Sequence, residues 1–71
     1  MSDRIPVTSS VLASVGYDPD NATLELEFQS GWVYTYFNIP LSLYTGLLNA
    51  ESKGKFFCRF IRGEGYMERI L

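Results

Sequence analysis

The chain has 71 residues, 46% of them hydrophobic and 20% charged, with a mean hydropathy of +0.00 and a formal charge of −2. That is enough for one small core and too apolar for a disordered segment, and it leaves no room for a second domain. With no histidine and a single cysteine, Cys58, the chain has no imidazole base, His-based triad, histidine zinc site, thiolate cluster or internal disulfide, so neither an enzyme nor a cofactor site is expected.

No apolar run approaches the roughly 20 residues that span a bilayer. The start, Met1-Ser2-Asp3-Arg4-Ile5-Pro6, lacks the apolar stretch of a signal peptide, and the default location is cytoplasmic. Residues 1 to 8 read as a mobile lead-in, because Pro6 opposes regular structure and nothing periodic precedes it; residues 9 to 71 then form the one domain. Ser9 to Tyr17 is a first strand, with Val11, Ala13, Val15 and Tyr17 on one face and Ser10, Leu12, Ser14 and Gly16 on the other. Gly16 inside it marks a bulge or the close approach of a large neighbour.

Asp18-Pro19-Asp20-Asn21 is a dense turn signal. Thr23 to Phe28 then alternates without error: Leu24, Leu26 and Phe28 make a dry face, Thr23, Glu25 and Glu27 a wet one. Gln29-Ser30-Gly31 turns the chain again, Gly31 supplying positive φ. Trp32 to Phe37 is the strongest strand signal, with Trp32, Tyr34 and Tyr36 on one face and Val33, Thr35 and Phe37 on the other. Pro40 ends it. Short turns between consecutive strands make these three an antiparallel meander.

After Pro40 the apolar positions Leu43, Tyr44, Leu47 and Leu48 take helical spacing up to about Asn49–Glu51. Gly46 marks either a weak helix or a neighbour packed close. Ser52 reads as the N-cap of a second helix from Lys53 to about Arg62, although Phe56 to Ile61 is also rich in strand formers. Gly63 and Gly65 end it, leaving residues 65–71 as a short last strand or an extended tail. The expected fold is α+β: a three-stranded antiparallel β-meander followed by two short helices packed on one face. Its expected core is Val11 or Leu12, Leu24, Leu26, Phe28, Tyr34, Tyr36, Leu43, Leu47, Phe56, Phe60 and Ile61.

The ordered set Ser9-Ser10-Val11, Gly16-Tyr17-Asp18, Thr23-Leu24, Tyr34-Thr35-Tyr36, Ile39-Pro40, Tyr44, Ala50-Glu51-Ser52-Lys53-Gly54 and Ile61-Arg62 resembles the KTSC domain. The resemblance covers about residues 8 to 70, and the central Tyr-x-Tyr is its most distinctive part. That family is named for a segment at the C-terminus of some lysyl-tRNA synthetases and also occurs as small stand-alone bacterial proteins. The resemblance implies no established activity; RNA binding is the role proposed for the family from its synthetase association.

The residues offer two candidate surfaces. Tyr34 and Tyr36 share a strand face, where they either stack unpaired bases or build the core. Lys53, Lys55, Arg59 and Arg62 lie within ten positions that hold no acidic residue, so this segment is +4 and the remainder −6. On a helix, Lys55, Arg59 and Arg62 fall at i, i+4 and i+7 and make one stripe opposite the phenylalanines. Cys58 reads as a partly buried apolar filler. The candidate partners are RNA, met by these six residues, or another protein, met by an apolar patch at Trp32 and residues 67–71; neither a membrane nor a small-molecule substrate is implied.

Overall fold

In a computed structural model that describes residues 4–63 and 66–69, the strand segments pair in chain order as one five-stranded antiparallel sheet. The strands are β1 (Ile5–Pro6), β2 (Leu12–Asp18), β3 (Thr23–Phe28), β4 (Val33–Phe37) and β5 (Tyr66–Arg69). Between β4 and β5 lie α1 (Leu41–Asn49), α2 (Lys53–Phe56) and a π-helical segment (Phe57–Ile61) that continues α2. The expected meander is β2-β3-β4, and the sheet extends beyond it at both edges. β5 pairs with β4, placing Met67 opposite Tyr36, so the strand alternative holds for residues 66–69, while 65, 70 and 71 lie outside the described residues. Ile5 and Pro6 pair with Val15 and Ser14, which corrects their place in an irregular lead-in. Proline is tolerated there because β1 is an edge strand with few ladder amides to supply.

Strand β2 departs most from simple alternation. Its register against β3 shifts between Leu12 and Ser14, so the bulge falls at Ala13 while Gly16 pairs regularly with Glu25. One extra residue reverses the facing of everything before it. Leu12, Val15 and Tyr17 therefore all enter the core, and Val11, expected on their face, is 39% exposed. Side chains tie the bulge down: Ser9 Oγ accepts from the amides of Val11 and Leu12 at 3.1 and 3.2 Å, and Gln29 Nε2 donates to the Ser9 and Leu12 carbonyls.

The second correction concerns β3. Thr23 and Glu25, expected on a wet face, are buried. Arg4 lies over that face, with Nη1 3.1 Å from Glu25 Oε1 and Nε donating to Ser14 Oγ at 3.1 Å; Ser14 Oγ in turn donates to Glu27 Oε1 at 2.8 Å. A polar chain anchored by the N-terminal segment thus covers the outer face of the sheet.

The helices pack on the opposite face. Leu12, Val15, Leu24, Leu26, Ile39, Leu47 and Ile61 are fully buried between the layers, with Phe28, Tyr34, Leu43 and Phe56 half-buried against them. Phe57 is buried and Phe60 is 46% exposed, the reverse of the expected assignment. Val15, Tyr17 and Ile39 complete the core. Ile39 is held from both sides: its amide donates to Ala22 O at 2.8 Å, and its carbonyl accepts from the Tyr17 hydroxyl at 2.6 Å. The Tyr17 ring stacks on Tyr44 of α1 at 5.0 Å, so one side chain joins β2, the β4–α1 junction and α1. In the β2–β3 turn, the Asn21 amide donating to Asp18 Oδ2 at 2.8 Å holds that carboxyl below its usual 3.8. The turn is accordingly tightest with Asp18 ionised and loosens as pH falls through the lowered value.

Two close approaches seat the helical layer. A Cβ at Gly46 of α1 would lie 2.6 Å from the Phe56 ring, and one at Gly54 of α2 would lie 2.7 Å from Val11 Cγ2. Ser52 caps α2 as its sequence position implies, accepting from the Lys55 amide at 3.3 Å.

Gly54→Ala will lower stability by about 1 to 3 kcal/mol, since the short, branched Val11 side chain has little freedom to retreat. Adding Val11→Ala will restore most of that loss; urea denaturation of the single and double variants measures both. Tyr17→Phe will cost about 1 to 3 kcal/mol by leaving the buried Ile39 carbonyl without its donor, read as a lowered urea midpoint with an unchanged slope.

Candidate nucleic-acid interface

The β3–β4 hairpin places Trp32. Gly31, at φ +98°, closes a three-residue turn in which Phe28 N donates to Trp32 O and Gly31 N to Phe28 O. Trp32 therefore enters just before β4, on the same side as Tyr34 and Tyr36. Its ring, 45% exposed, stacks on Tyr34 with centroids 6.3 Å apart and planes 22° from parallel. From Tyr34 the contacts run inward edge to face, through Phe28 at 5.6 Å and Phe57 at 5.4 Å to Tyr36 at 5.6 Å. The rings form a chain from a buried tyrosine to an exposed indole. Tyr36 belongs to the core, and Tyr34 stands half-buried at its edge.

The π-helical segment supplies the cation. Arg62 N donates to Phe57 O at 2.9 Å, the five-residue step of a π turn. A π turn takes more residues per revolution than an α turn, so residues after it fall out of the α phase. Arg62 thereby leaves the expected stripe and joins Phe28, Ser30, Trp32, Tyr34, Tyr36 and Phe57 around one open cleft of about 640 Å³. Burial pushes the Tyr36 phenol above its usual 10.0, with Tyr34 adding to the rise and the Arg62 guanidinium opposing it.

The other basic residues are placed elsewhere. Lys55 and Arg59 line a second groove of about 870 Å³ with Ser10, Val11, Phe56 and Phe60. Lys53 is half-buried and its Nζ donates to Ala50 O at 3.2 Å, closing the end of α1. The four cations therefore do not form one surface. Cys58, expected as a partly buried filler, is exposed in the second groove. Of the patch expected at Trp32 and residues 67–71, Trp32 is exposed and residues 67–69 belong to the β5 ladder, while residues 70 and 71 lie outside the described residues.

Phe28, Ser30 and Phe57 were not singled out as site residues. Phe28 was legible as a neighbour of Tyr34 from its strand face, but choosing Phe57 over Phe60 needs the helix phase, which the π turn alters. Chemically, the cleft offers flat aromatic surface, hydroxyls and the Arg62 guanidinium, with no carboxylate among its described lining residues. That set can stack a planar ring and hold an anion beside it. Among the described residues, no group of three or more metal-ligating side chains converges, and no helix is long and apolar enough to cross a membrane.

Comparison with known proteins places this architecture. A family model described as the KTSC domain matches residues 8–66. A lysine–tRNA ligase of Nostoc sp. is 43% identical over 61 residues, covering 86% of this chain but only 11% of the ligase. An uncharacterised protein of Stutzerimonas stutzeri is 40% identical over 63 residues, 89% of each chain. The crystal structure of a KTSC domain protein from Yersinia pestis superposes with a TM-score of 0.94 at 39% identity over 97% of both chains. From the family match over most of its length and the Stutzerimonas and Yersinia proteins that it matches nearly end to end, the chain belongs to the KTSC domain family.

Proposed function

We propose that this domain is a non-catalytic, cytoplasmic RNA-contacting accessory module. The observation that carries the reading is the meeting of Arg62 with Trp32, Tyr34 and Tyr36 in one cleft, aromatic faces beside a guanidinium being how single-stranded RNA is commonly held. Homology to a segment of a lysine–tRNA ligase supports an RNA setting. Lys55 and Arg59 extend positive charge along the helical layer, away from the cleft. A sequence pI near 4.8 argues against general polyanion affinity and for a confined contact.

A second reading has its own observation. Val11 and Phe60 are 39% and 46% exposed in the groove that Lys55 and Arg59 flank, a surface suited to another protein. It is the alternative that a silent RNA titration would favour.

In an NMR titration with short RNA oligomers at low salt, the amides of residues 30 to 36 and of Arg62 will shift together. Arg62→Glu will weaken binding at least about tenfold by replacing a charge-assisted contact with repulsion, and will leave the melting curve unchanged because Arg62 is exposed. Lys55→Glu and Arg59→Glu will each weaken it less. An unchanged spectrum at high RNA concentration would sink the reading.

A further inference from the structure

We infer that the second groove is a docking site for an acidic amphipathic helix of a partner protein, its apolar face lying on Val11 and Phe60 and its carboxylates meeting Lys55 and Arg59. The inference rests on the protein-interaction reading above and takes nothing from the RNA reading, since Arg62 and the aromatic cleft lie outside this groove. The groove, of about 870 Å³, is bounded by the helical layer and by the residues that precede β2. Its apolar members are fixed before any partner arrives. Val11 rests on Gly54, Phe56 rests on Gly46, and Phe60 packs on Phe56 with ring centroids 4.7 Å apart. Val11 and Phe60 are nevertheless 39% and 46% exposed. Side chains held in this way lose little freedom when they are covered.

Charge selects the partner. Among the described residues the ion pair is Arg4 with Glu25, on the outer face of the sheet, and neither Lys55 nor Arg59 is in one. These two exposed cations stand one helical turn apart, so carboxylates one turn apart on a second helix match them. The backbone selects a helix. Val11 N donates to Ser9 Oγ and Val11 O accepts from Gln29 N, so a strand finds no ladder to join at this residue. A helix brings its own backbone hydrogen bonds and binds through side chains alone. A flat bilayer does not reach the floor of a groove. A phosphodiester strand, negative at every unit, meets Glu51 in the same lining, whereas a helix keeps its carboxylates on the flank that faces the cations.

Cys58 is the chain's one cysteine and is exposed in this groove, so its alkylation reports occupancy directly. The full chain, without RNA, is titrated with three fluorescein-labelled helical peptides of about 15 residues. They share one leucine stripe, and the flanking positions one turn apart carry glutamate, glutamine or lysine. Polarisation gives the affinities, the rate of iodoacetamide reaction at Cys58 gives the protection, and thermal melts check that each variant is folded. The glutamate peptide is expected to bind and to slow alkylation. The glutamine form will bind about 2- to 30-fold more weakly, the range of two exposed ion pairs, and the lysine form more weakly still. In the double variant Lys55→Glu, Arg59→Glu that order will reverse, with the lysine peptide binding best. Phe60→Ala will weaken all three, and Arg62→Glu will leave them unchanged. Equal protection by all three peptides, with no reversal in the double variant, would overturn the acidic partner and leave the protein-interaction reading standing. No protection by any peptide at high concentration would remove both. Protection by a short oligoadenylate would give the groove to nucleic acid, and a dimer that shields Cys58, seen by sedimentation, would give it to a second copy; either overturns the inference.

Discussion

Two missing methyl groups set the distance between the helical layer and everything else. Gly46 lets the Phe56 ring lie on the backbone of α1, and Gly54 lets Val11 lie on the backbone of α2. Both contacts are tighter than any Cβ allows, so α2 is fixed at once against α1 and against the start of β2. The helical turn that follows inherits that position. With Phe57 and Ile61 buried in the layer, the π step then carries Arg62 to the cleft side of Phe57. The cation that Arg62 supplies to the site is placed by packing some distance away.

The tyrosines divide the labour of a very small core. Tyr17 and Tyr36 are buried, and Tyr17 spends its hydroxyl on the Ile39 carbonyl. Tyr34, a strand step from Tyr36, stands at the core's edge with its ring between Phe28 and the exposed indole of Trp32. A domain of this size uses nearly every large side chain for stability, and the surface aromatic is an extension of the core's own ring contacts. Rigidity of that kind suits a stacking platform, because little side-chain freedom remains to be lost when a ligand binds.

The outer face of the sheet adds stability without apolar bulk. Arg4 reaches Ser14 and Glu25, and Ser14 reaches Glu27, so charged and hydroxyl groups satisfy one another across β2 and β3. The N-terminal segment is thereby bound to the sheet by side chains as well as by the short β1 ladder. The acidic excess of the chain includes these paired carboxylates, and the cleft lies on the opposite, helical side of the sheet, where the described lining residues carry only positive charge.

Local signals were enough for β2 to β4, α1 and the Ser52 cap, because alternation, helical spacing and turn residues act over a few neighbours. The positive φ at Gly31 and the close neighbour of Gly46 were legible for the same reason. Tertiary structure decided the rest. Whether Val11 or Leu12 enters the core depended on a bulge at Ala13, which a strand adopts only against its partner's register. Glu25 read as solvent-facing because alternation reports a side, and only the fold could show that Arg4 lies over that side. The basic stripe was a correct deduction for an α-helix, and the π turn undid it by shifting the phase of the residues that follow it. Residue types and spacing thus determined that this chain makes a sheet with a basic, aromatic helical layer, while packing across that layer decided which of the four helical cations meets the aromatic rings.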